Sequence, residues 1–469
     1  MSMDDDRCTA LIARLHQELG PTRVLTDAAD RWAYGYDNSR RQTLPAAVVM
    51  ADDHDGVVLA VRACNEHRVP LTVRGRGTGT AGAAVPSEDG IVLSTERMSR
   101  ILAIDPDNRV AVVQCGVING DLQREAGEQG FFWPPDPTSA DYCTIGGNLG
   151  CNSAGPRAVK YGTPRENTLG LRAVSGEGRS LRTGCYTTKG VVGYDLTRLL
   201  IGSEGTLAII TEATLKLTPL PQAIVTLRAL YRDMATAASA VSRIMAGPVV
   251  PRSLEFMDGN AIGLVRKSGA PDLPQDAGAM LLIEVDGAAG ALQLAADAVC
   301  DAAAGSGLIS LETARDPAEV AALWASRKAL SPALREIAPK KINEDVVVPV
   351  SRMAELIATL GKMAEEFAVT IVSFGHAGNG NIHVNILGDP AVAGESERME
   401  RCMNAMFRKV LELGGTLSGE HGIGFEKREA VALEIEPETL ELMRRIRRDF
   451  DPLGILNPGK LFPDASAST

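Results

Sequence analysis

Three of the chain's six histidines stand close together near the C-terminus. They read His376-Ala-Gly-Asn-Gly-Asn-Ile-His383 and, further on, Gly419-Glu420-His421-Gly422. Ile371–His376 and Asn381–Leu387 are rich in β-branched and apolar residues, so both read as strands. Between them Asn379-Gly380 is a strong hairpin signal. With those two residues as the turn, 376 pairs with 383, and the imidazoles become direct cross-strand neighbours with Cβ atoms roughly 5 Å apart. Two imidazoles that close, with a carboxylate from elsewhere, make an open His₂Glu metal site that leaves room for a substrate. The competing reading is two core or surface histidines on a hairpin. The glycines around the turn, and those enclosing the second Glu-His cluster, favour the metal site.

The elements that must carry these residues come from an ordinary globular composition. A chain of 469 residues with 45% hydrophobic and 23% charged residues has room for two or three domains. Aromatics are only 4%, so no base-stacking surface is advertised. A formal charge of −11 and a pI near 5.2 argue against nucleic acid or an anionic membrane as the main partner. The N-terminal residues show no basic and apolar leader pattern, and no apolar run has transmembrane length. The eight cysteines are scattered without a C-x-x-C, which removes the usual iron–sulfur and zinc-ribbon spacings. A cytoplasmic protein with reduced thiols is the expectation.

Along the chain, a helical pattern near Leu11–Leu19 leads into strands alternating with glycine turns from Ala46 to about Leu217. Pro219-Leu-Pro221 marks a boundary. Residues 222–418 read as another module, with strands among alanine-rich amphipathic helices (235–246, 290–304, 317–325, 352–367, 395–413). The tail from Gly419 to Phe462 carries loops, a charged helix and Asn457-Pro-Gly-Lys460.

Three glycine clusters lie in the first module. Arg74-Gly-Arg-Gly-Thr-Gly-Thr-Ala-Gly82 contains a G-x-G-x-x-G, yet the residues beyond it lead to a strand and not to a helix, which excludes a Rossmann loop. A glycine-rich nest for a pyrophosphate still fits. Pro137-Thr-Ser-Ala-Asp-Tyr-Cys-Thr-Ile-Gly-Gly-Asn-Leu-Gly-Cys-Asn-Ser-Ala-Gly155 and Ile201-Gly-Ser-Glu-Gly-Thr206 are the others. Singly each reads as a turn; together they point to one large phosphate-bearing cofactor.

In this order the segments RGRGTGT, TIGGNLGCNSAG, IGSEGTLAIITEATLKL, GHAGNGNIH, GEHGIG and NPGK resemble the FAD-dependent D-2-hydroxyacid dehydrogenases. These belong to the vanillyl-alcohol-oxidase-type flavoproteins and include D-lactate dehydrogenases, the glycolate oxidase catalytic subunit and D-2-hydroxyglutarate dehydrogenase. The resemblance runs from about residue 45 to residue 462. It implies an α+β protein: a bipartite FAD-binding domain (1–220), a substrate and metal domain with a helix-covered antiparallel sheet (221–418), and a tail (419–469) that returns to the FAD domain and closes the active site. It implies that Arg74, Gly75, Arg76, Gly77, Thr78 and Gly79 surround the pyrophosphate. Thr144, Gly146, Gly147, Asn152, Ser153, Gly155, Glu204, Gly205, Ile209 and Asn457 would lie around the rest of FAD. Relatives with covalent flavin often carry a histidine in the first glycine loop. Residues 71–86 contain none, so FAD is expected to be non-covalent.

By the same resemblance His376, His383 and Glu420 are divalent-metal ligands, with zinc the first choice and manganese the alternative. His421 is the base, Arg327 binds a substrate carboxylate, and Asn385, on the face of His383, touches substrate. Many relatives have Asp where Asn379 stands and Gly where Ala208 stands. A bound 2-hydroxy acid would then lose its hydroxyl proton to a neutral imidazole and its Cα hydride to flavin N5. Lys340 and Lys341 bear on the substrate: a second carboxylate would favour D-2-hydroxyglutarate, whereas solvated lysines favour a monocarboxylate such as D-lactate, the preferred reading. The electrons pass to an external acceptor, be it an electron-transfer flavoprotein, a quinone or an Fe–S subunit. A homodimer and peripheral attachment to the inner face of the membrane stay open. A zinc hydrolase and a non-catalytic FAD-binding subunit are the rival readings; three cofactor-like glycine clusters oppose the first and the histidine cluster opposes the second.

Overall fold

The computed structural model describes residues 3–267, 273–314, 316–328 and 330–463. The chain forms two compact units. The first comprises Met1–Ala154, Gly162–Leu220 and Glu420–Thr469; the second comprises Gly155–Tyr161 and Pro221–Gly419. Among the described residues no helix is long and apolar enough to cross a membrane.

The first unit is built on two sheets. Ala47–Met50, Ile91–Ser94 and Leu71–Arg74 run parallel, with Val24–Leu25 added antiparallel at the edge. Parallel strands need a crossover, and the helix His54–His67 supplies the one from Ala47–Met50 to Leu71–Arg74, its N-terminus capped by the Asp53 carboxylate accepting from Gly56 N. Its Val57, Ala60, Val61 and Cys64 are buried, the 3.6-residue stripe that a crossover helix must present to its sheet. The second sheet is antiparallel, in the order Ile101–Asp105, Val110–Gln114, Ala208–Lys216, Thr168–Ser175, Ser180–Gly184. Beyond the first glycine loop the chain does run to a strand, Ile91–Ser94, and not into a helix.

The second unit carries a fully antiparallel seven-stranded sheet. Its order is Leu308–Thr313, Ala223–Tyr231, Ala279–Gly287, Ser253–Asp258, Thr370–His376, Asn381–Gly388, Lys340–Val347. Both faces are covered, which explains why Asn381–Gly388 is buried at every position. On one face the helices Gly259–Lys267 and Leu330–Ile337 pack Ile262, Val265, Leu330 and Leu334 against Leu230, Met257, Met280, Val372, Phe374 and Leu387. On the other, Tyr231 donates its hydroxyl to Ala303 O at the end of the helix Ala289–Ala303 (2.8 Å). The helix Gly259–Lys267 was not anticipated, because its Gly259, Asn260 and Gly263 dilute an otherwise apolar stripe.

Candidate active site

The hairpin forms, with a register different from the expected one. His376 pairs with Asn381 and His383 pairs with Phe374. A two-residue turn at Asn379-Gly380 would have placed His376 opposite His383; instead Ala377–Asn379 make a 3-10 turn and only Gly380 takes a left-handed φ, of 70°. A two-residue type I′ turn needs positive φ at both central residues, and Asn379 does not supply it. The loop is also pinned from outside. A Cβ on Gly378 would lie 2.5 Å from Val159 Cγ2, and one on Gly380 would lie 1.9 Å from Val348 O. The register thus moves by two residues, an even number that leaves both histidines on one face. They are diagonal neighbours, ring centroids 5.1 Å apart and nearly perpendicular at 85°.

That face carries the rest of the site. Glu255 stands directly opposite His376 on the next strand, and its Oε1 lies 2.5 Å from His376 Nδ1. The other oxygen accepts from Arg327 Nε at 3.0 Å and lies 3.0 Å from its terminal nitrogen Nη2. The Arg327 guanidinium lies over the Phe374 ring, 4.5 Å from its centroid. Glu255 was missed at the sequence level; the signal was a lone carboxylate amid Ser253-Leu-Glu-Phe-Met257, a strand that is otherwise all core.

On the far side of His383 the facing residue is Asp345, which is fully buried. Its side chain accepts from Ser418 Oγ at 3.0 Å and from Gly419 N at 2.9 Å. Gly419 N also reaches Asp345 O, and Thr416 exchanges two backbone hydrogen bonds with Val347. The 416–419 segment is thereby laid along the open edge of the sheet, and Glu420 follows it. One ligand atom from each of His376, His383 and Glu420 falls within 4.8 Å of the others. His376 turns Nδ1 to Glu255, so Nε2 would be the ring nitrogen it offers to an ion. Two imidazoles and a carboxylate at this spacing fit a divalent ion of the zinc or manganese type and leave coordination positions open.

The remaining predicted residues of this module sort by face. Asn385 is fully buried and donates to Val372 O (3.2 Å) and His383 O (3.3 Å), while its Oδ1 has no hydrogen-bond partner among the described residues. Lys341 shares the face of Asp345 and Asn385; Lys340 points to the opposite one, 3.9 Å from Glu400. His421 is half-buried and next in chain to Glu420.

In the first unit most cofactor-loop residues prove to be occupied by the protein itself. A Cβ on Gly75 would lie 2.3 Å from Thr144 Oγ1, and one on Gly77 would lie 2.2 Å from the Arg74 guanidinium, which is spent on Tyr36 O and Ala33 O. Gly146 abuts Cys115 and Gly205 abuts Val73 in the same way. Thr144 caps a short helix by accepting from Gly147 N, and Ser153 N donates to Asn148 O. Asn152, left-handed at φ 56°, accepts from Thr163 Oγ1 and Arg165 N. Ile209 is core, opposite Val174, and Gly155 opens the 155–161 segment of the second unit. Arg76 is half-exposed beside Glu96.

What is left open is the backbone of the first loop. Gly79 has only Asp37 Oδ2, at 3.9 Å, near its missing side chain. The N–H groups of Arg76, Gly77, Thr78 and Gly79 donate to no protein acceptor among the described residues, while Thr78 O and Gly79 O accept from Asn38. A row of unspent donors is what a pyrophosphate nest requires.

The tail is locked onto this unit by buried polar groups. The Glu204 carboxylate accepts from Ile423 N (2.6 Å) and Gly424 N (2.8 Å), and burial raises its pKa. Asn457 donates to Ala83 O (3.0 Å) and Glu204 O (2.7 Å), and accepts from Lys460. Lys460 is fully buried, bonded to Val85 O, and burial pushes its pKa down to about 7. Both amide hydrogens of Asn457 are therefore taken by protein acceptors.

Comparison with known proteins agrees with this architecture. Residues 45–184 match the FAD binding domain family, and residues 220–461 match the C-terminal domain of FAD linked oxidases. The chain is 39% identical to the glycolate oxidase subunit GlcD of Bacillus subtilis, over 96% of each chain. It is 34% identical to the D-lactate dehydrogenase of Anaerostipes hadrus, over 95% of this chain and 96% of the relative. Among solved structures, p-cresol methylhydroxylase superposes with a TM-score of 0.79 at 17% identity, covering 97% of this chain and 96% of that one. The 4-ethylphenol oxidase of Gulosibacter chungangensis does so with a TM-score of 0.78 at 17% identity, covering 98% of both. The structural likenesses establish the vanillyl-alcohol-oxidase-type fold. The chain belongs to the FAD linked oxidases, within their group of FAD-dependent D-2-hydroxyacid dehydrogenases, and is an oxidoreductase acting on CH–OH groups.

Proposed function

We propose that this enzyme oxidises a D-2-hydroxy acid of the D-lactate type to its 2-oxo acid, assisted by a divalent metal ion. The observation that carries this is the convergence of His376, His383 and Glu420 within 4.8 Å on the face that also holds Arg327 and Asn385. The ion, zinc by first choice and manganese otherwise, would supply a Lewis acid for the substrate hydroxyl, and FAD, bound non-covalently, the hydride acceptor. The chain's own groups do the rest. Arg327 offers the N–H groups not taken by Glu255 to the substrate carboxylate, in an orientation fixed by the Phe374 ring. Asn385 lines the floor beside His383. His421, next in chain to Glu420 and half-buried, takes the hydroxyl proton at its imidazole.

Residues 1–220 are assigned to FAD, 221–418 to substrate and metal, and 419–469 to closing the site. The relatives named for D-lactate and glycolate favour a small monocarboxylate. The geometry supports that preference, because Lys340 turns away from the ligand face and only Lys341 could serve a second carboxylate. D-2-Hydroxyglutarate and glycolate are the alternatives, the latter within a complex, as the name glycolate oxidase subunit implies for the GlcD relatives. Electrons leave to an external acceptor: an electron-transfer flavoprotein, a quinone or an Fe–S subunit.

The test is a panel of D- and L-2-hydroxy acids with an artificial dye acceptor, followed by bleaching of the flavin absorbance. D-Lactate should reduce the flavin of the wild type and fail with His383→Ala, which should lose metal and keep FAD. Reduction by no 2-hydroxy acid, or full activity without bound metal, overturns the proposal.

A further inference from the structure

We infer that Glu255 is a positioning residue that ties the imidazole of His376 to the guanidinium of Arg327, so that one buried carboxylate sets both the metal site and the carboxylate anchor. The inference rests on the reading of His376 and Arg327 given above. Glu255 is 2% exposed, and a carboxylate so placed is retained only with partners for both oxygens. Its two oxygens go to two different functional groups: Oε1 to His376 Nδ1 and Oε2 to Arg327.

Each contact selects one state of its partner. An imidazole whose Nδ1 faces a carboxylate carries its proton there, and its Nε2 lone pair is then presented to the metal. A guanidinium has five N–H donors in a rigid plane; Glu255 faces the edge of Nε and Nη2, which leaves the Nη1 end for a ligand. The Phe374 face beneath the guanidinium removes its remaining freedom to tilt. Glu255 cannot drift, because it is register-paired with His376 between two central strands of the sheet. A substrate carboxylate seated on Arg327 is in this way held at a fixed offset from the ion, which is what a chelating hydroxy acid requires.

The test is a double-mutant cycle on the full-length flavoprotein with Glu255→Gln, Arg327→Met and both together. Zinc affinity is measured on demetallated protein by competition with a chelator, and KM and kcat with D-lactate and a dye acceptor. Glu255→Gln should weaken zinc binding about 10–100-fold, the scale of lost outer-shell partners. It should also raise KM about tenfold, as expected when a charged hydrogen bond is lost. Arg327→Met should raise KM and leave zinc affinity unchanged. In the double variant KM should be no higher than in Arg327→Met, while zinc affinity stays at the Glu255→Gln value. Unaltered zinc affinity in Glu255→Gln, or KM losses that multiply in the double variant, would overturn the inference. Should Glu255→Gln lose FAD or fail to fold, Glu255→Asp takes its place; a defect in both readouts supports the inference and a defect in neither overturns it. Absence of metal binding in the wild type would overturn the proposed function itself, and the inference with it.

Discussion

Gly419 is held by Asp345 through one amide that reaches two acceptors, the main-chain oxygen and Oδ2 of the same residue, at 2.9 Å each. This clip fixes the backbone one residue before Glu420, so a flexible side chain starts from a defined point. It also explains why position 419 is glycine: a Cβ there would stand 2.3 Å from Asn381 Nδ2 and 2.9 Å from Val347 Cγ2. Neither neighbour can retreat easily, since Asn381 is buried and donates to Val346 O. Gly419→Ala should therefore displace Glu420 and weaken metal binding by about tenfold or more, within the range for disturbed ligand support. FAD content should not change. Zinc affinity equal to wild type in that variant would show that the clip does not place the carboxylate.

How far the site was legible follows from the range of each signal. The face shared by His376 and His383 was readable, because a strand's two-residue alternation survives any even shift of register. The register itself was not, because it depends on Val159 and Val348 crowding the loop, contacts distant in sequence. Glu255 was hidden for the same reason: pairing of Ser253–Asp258 with Thr370–His376 joins segments with nothing local in common. The glycine clusters were seen correctly as close approaches, but in many cases the approaching atom belongs to the protein, as with Arg74 at Gly77 and Cys115 at Gly146. Local sequence shows that backbone must come near something; it does not show whether that is cofactor or chain.

The cofactor loop leads to a simple chemical expectation. Residues 71–86 contain neither histidine nor cysteine, so the loop offers no side chain for a covalent flavin bond. Acid precipitation should release all of the FAD into the supernatant as the intact dinucleotide. Yellow colour remaining with the washed pellet would contradict this.

Asp258 gives a pH dependence that does not involve the metal ligands. It accepts from Ser373 N (2.7 Å) and Ala261 N (2.8 Å), joining the sheet to the start of the helix Gly259–Lys267. Burial outweighs these bonds and lifts its pKa from 3.8 to about 6. A carboxyl with a raised folded-state pKa binds its proton more tightly in the folded chain. Its contribution to stability is complete below about pH 4 and is lost as the pH rises through about 6. Replacement by Asn removes the titration, so the wild type should lose about 3 kcal/mol relative to Asp258→Asn between pH 4 and pH 7. Urea unfolding midpoints of the two proteins across that range check the sign; parallel curves would refute it.

The division of labour between Glu420 and His421 can be read from two substitutions. If His421 takes the hydroxyl proton, His421→Ala should retain both metal and FAD. Its rate of flavin reduction in single-turnover mixing should fall roughly 10²–10⁴-fold, the scale of general-base removal. Glu420→Ala should instead lower metal affinity, and excess metal should restore part of its activity, because two imidazoles remain to hold the ion. The two variants thus differ in a quantity that does not depend on turnover, the metal content after gel filtration. Reduction of flavin by His421→Ala at the wild-type rate would remove it as the base. The proton would then have to leave through another acceptor in the site.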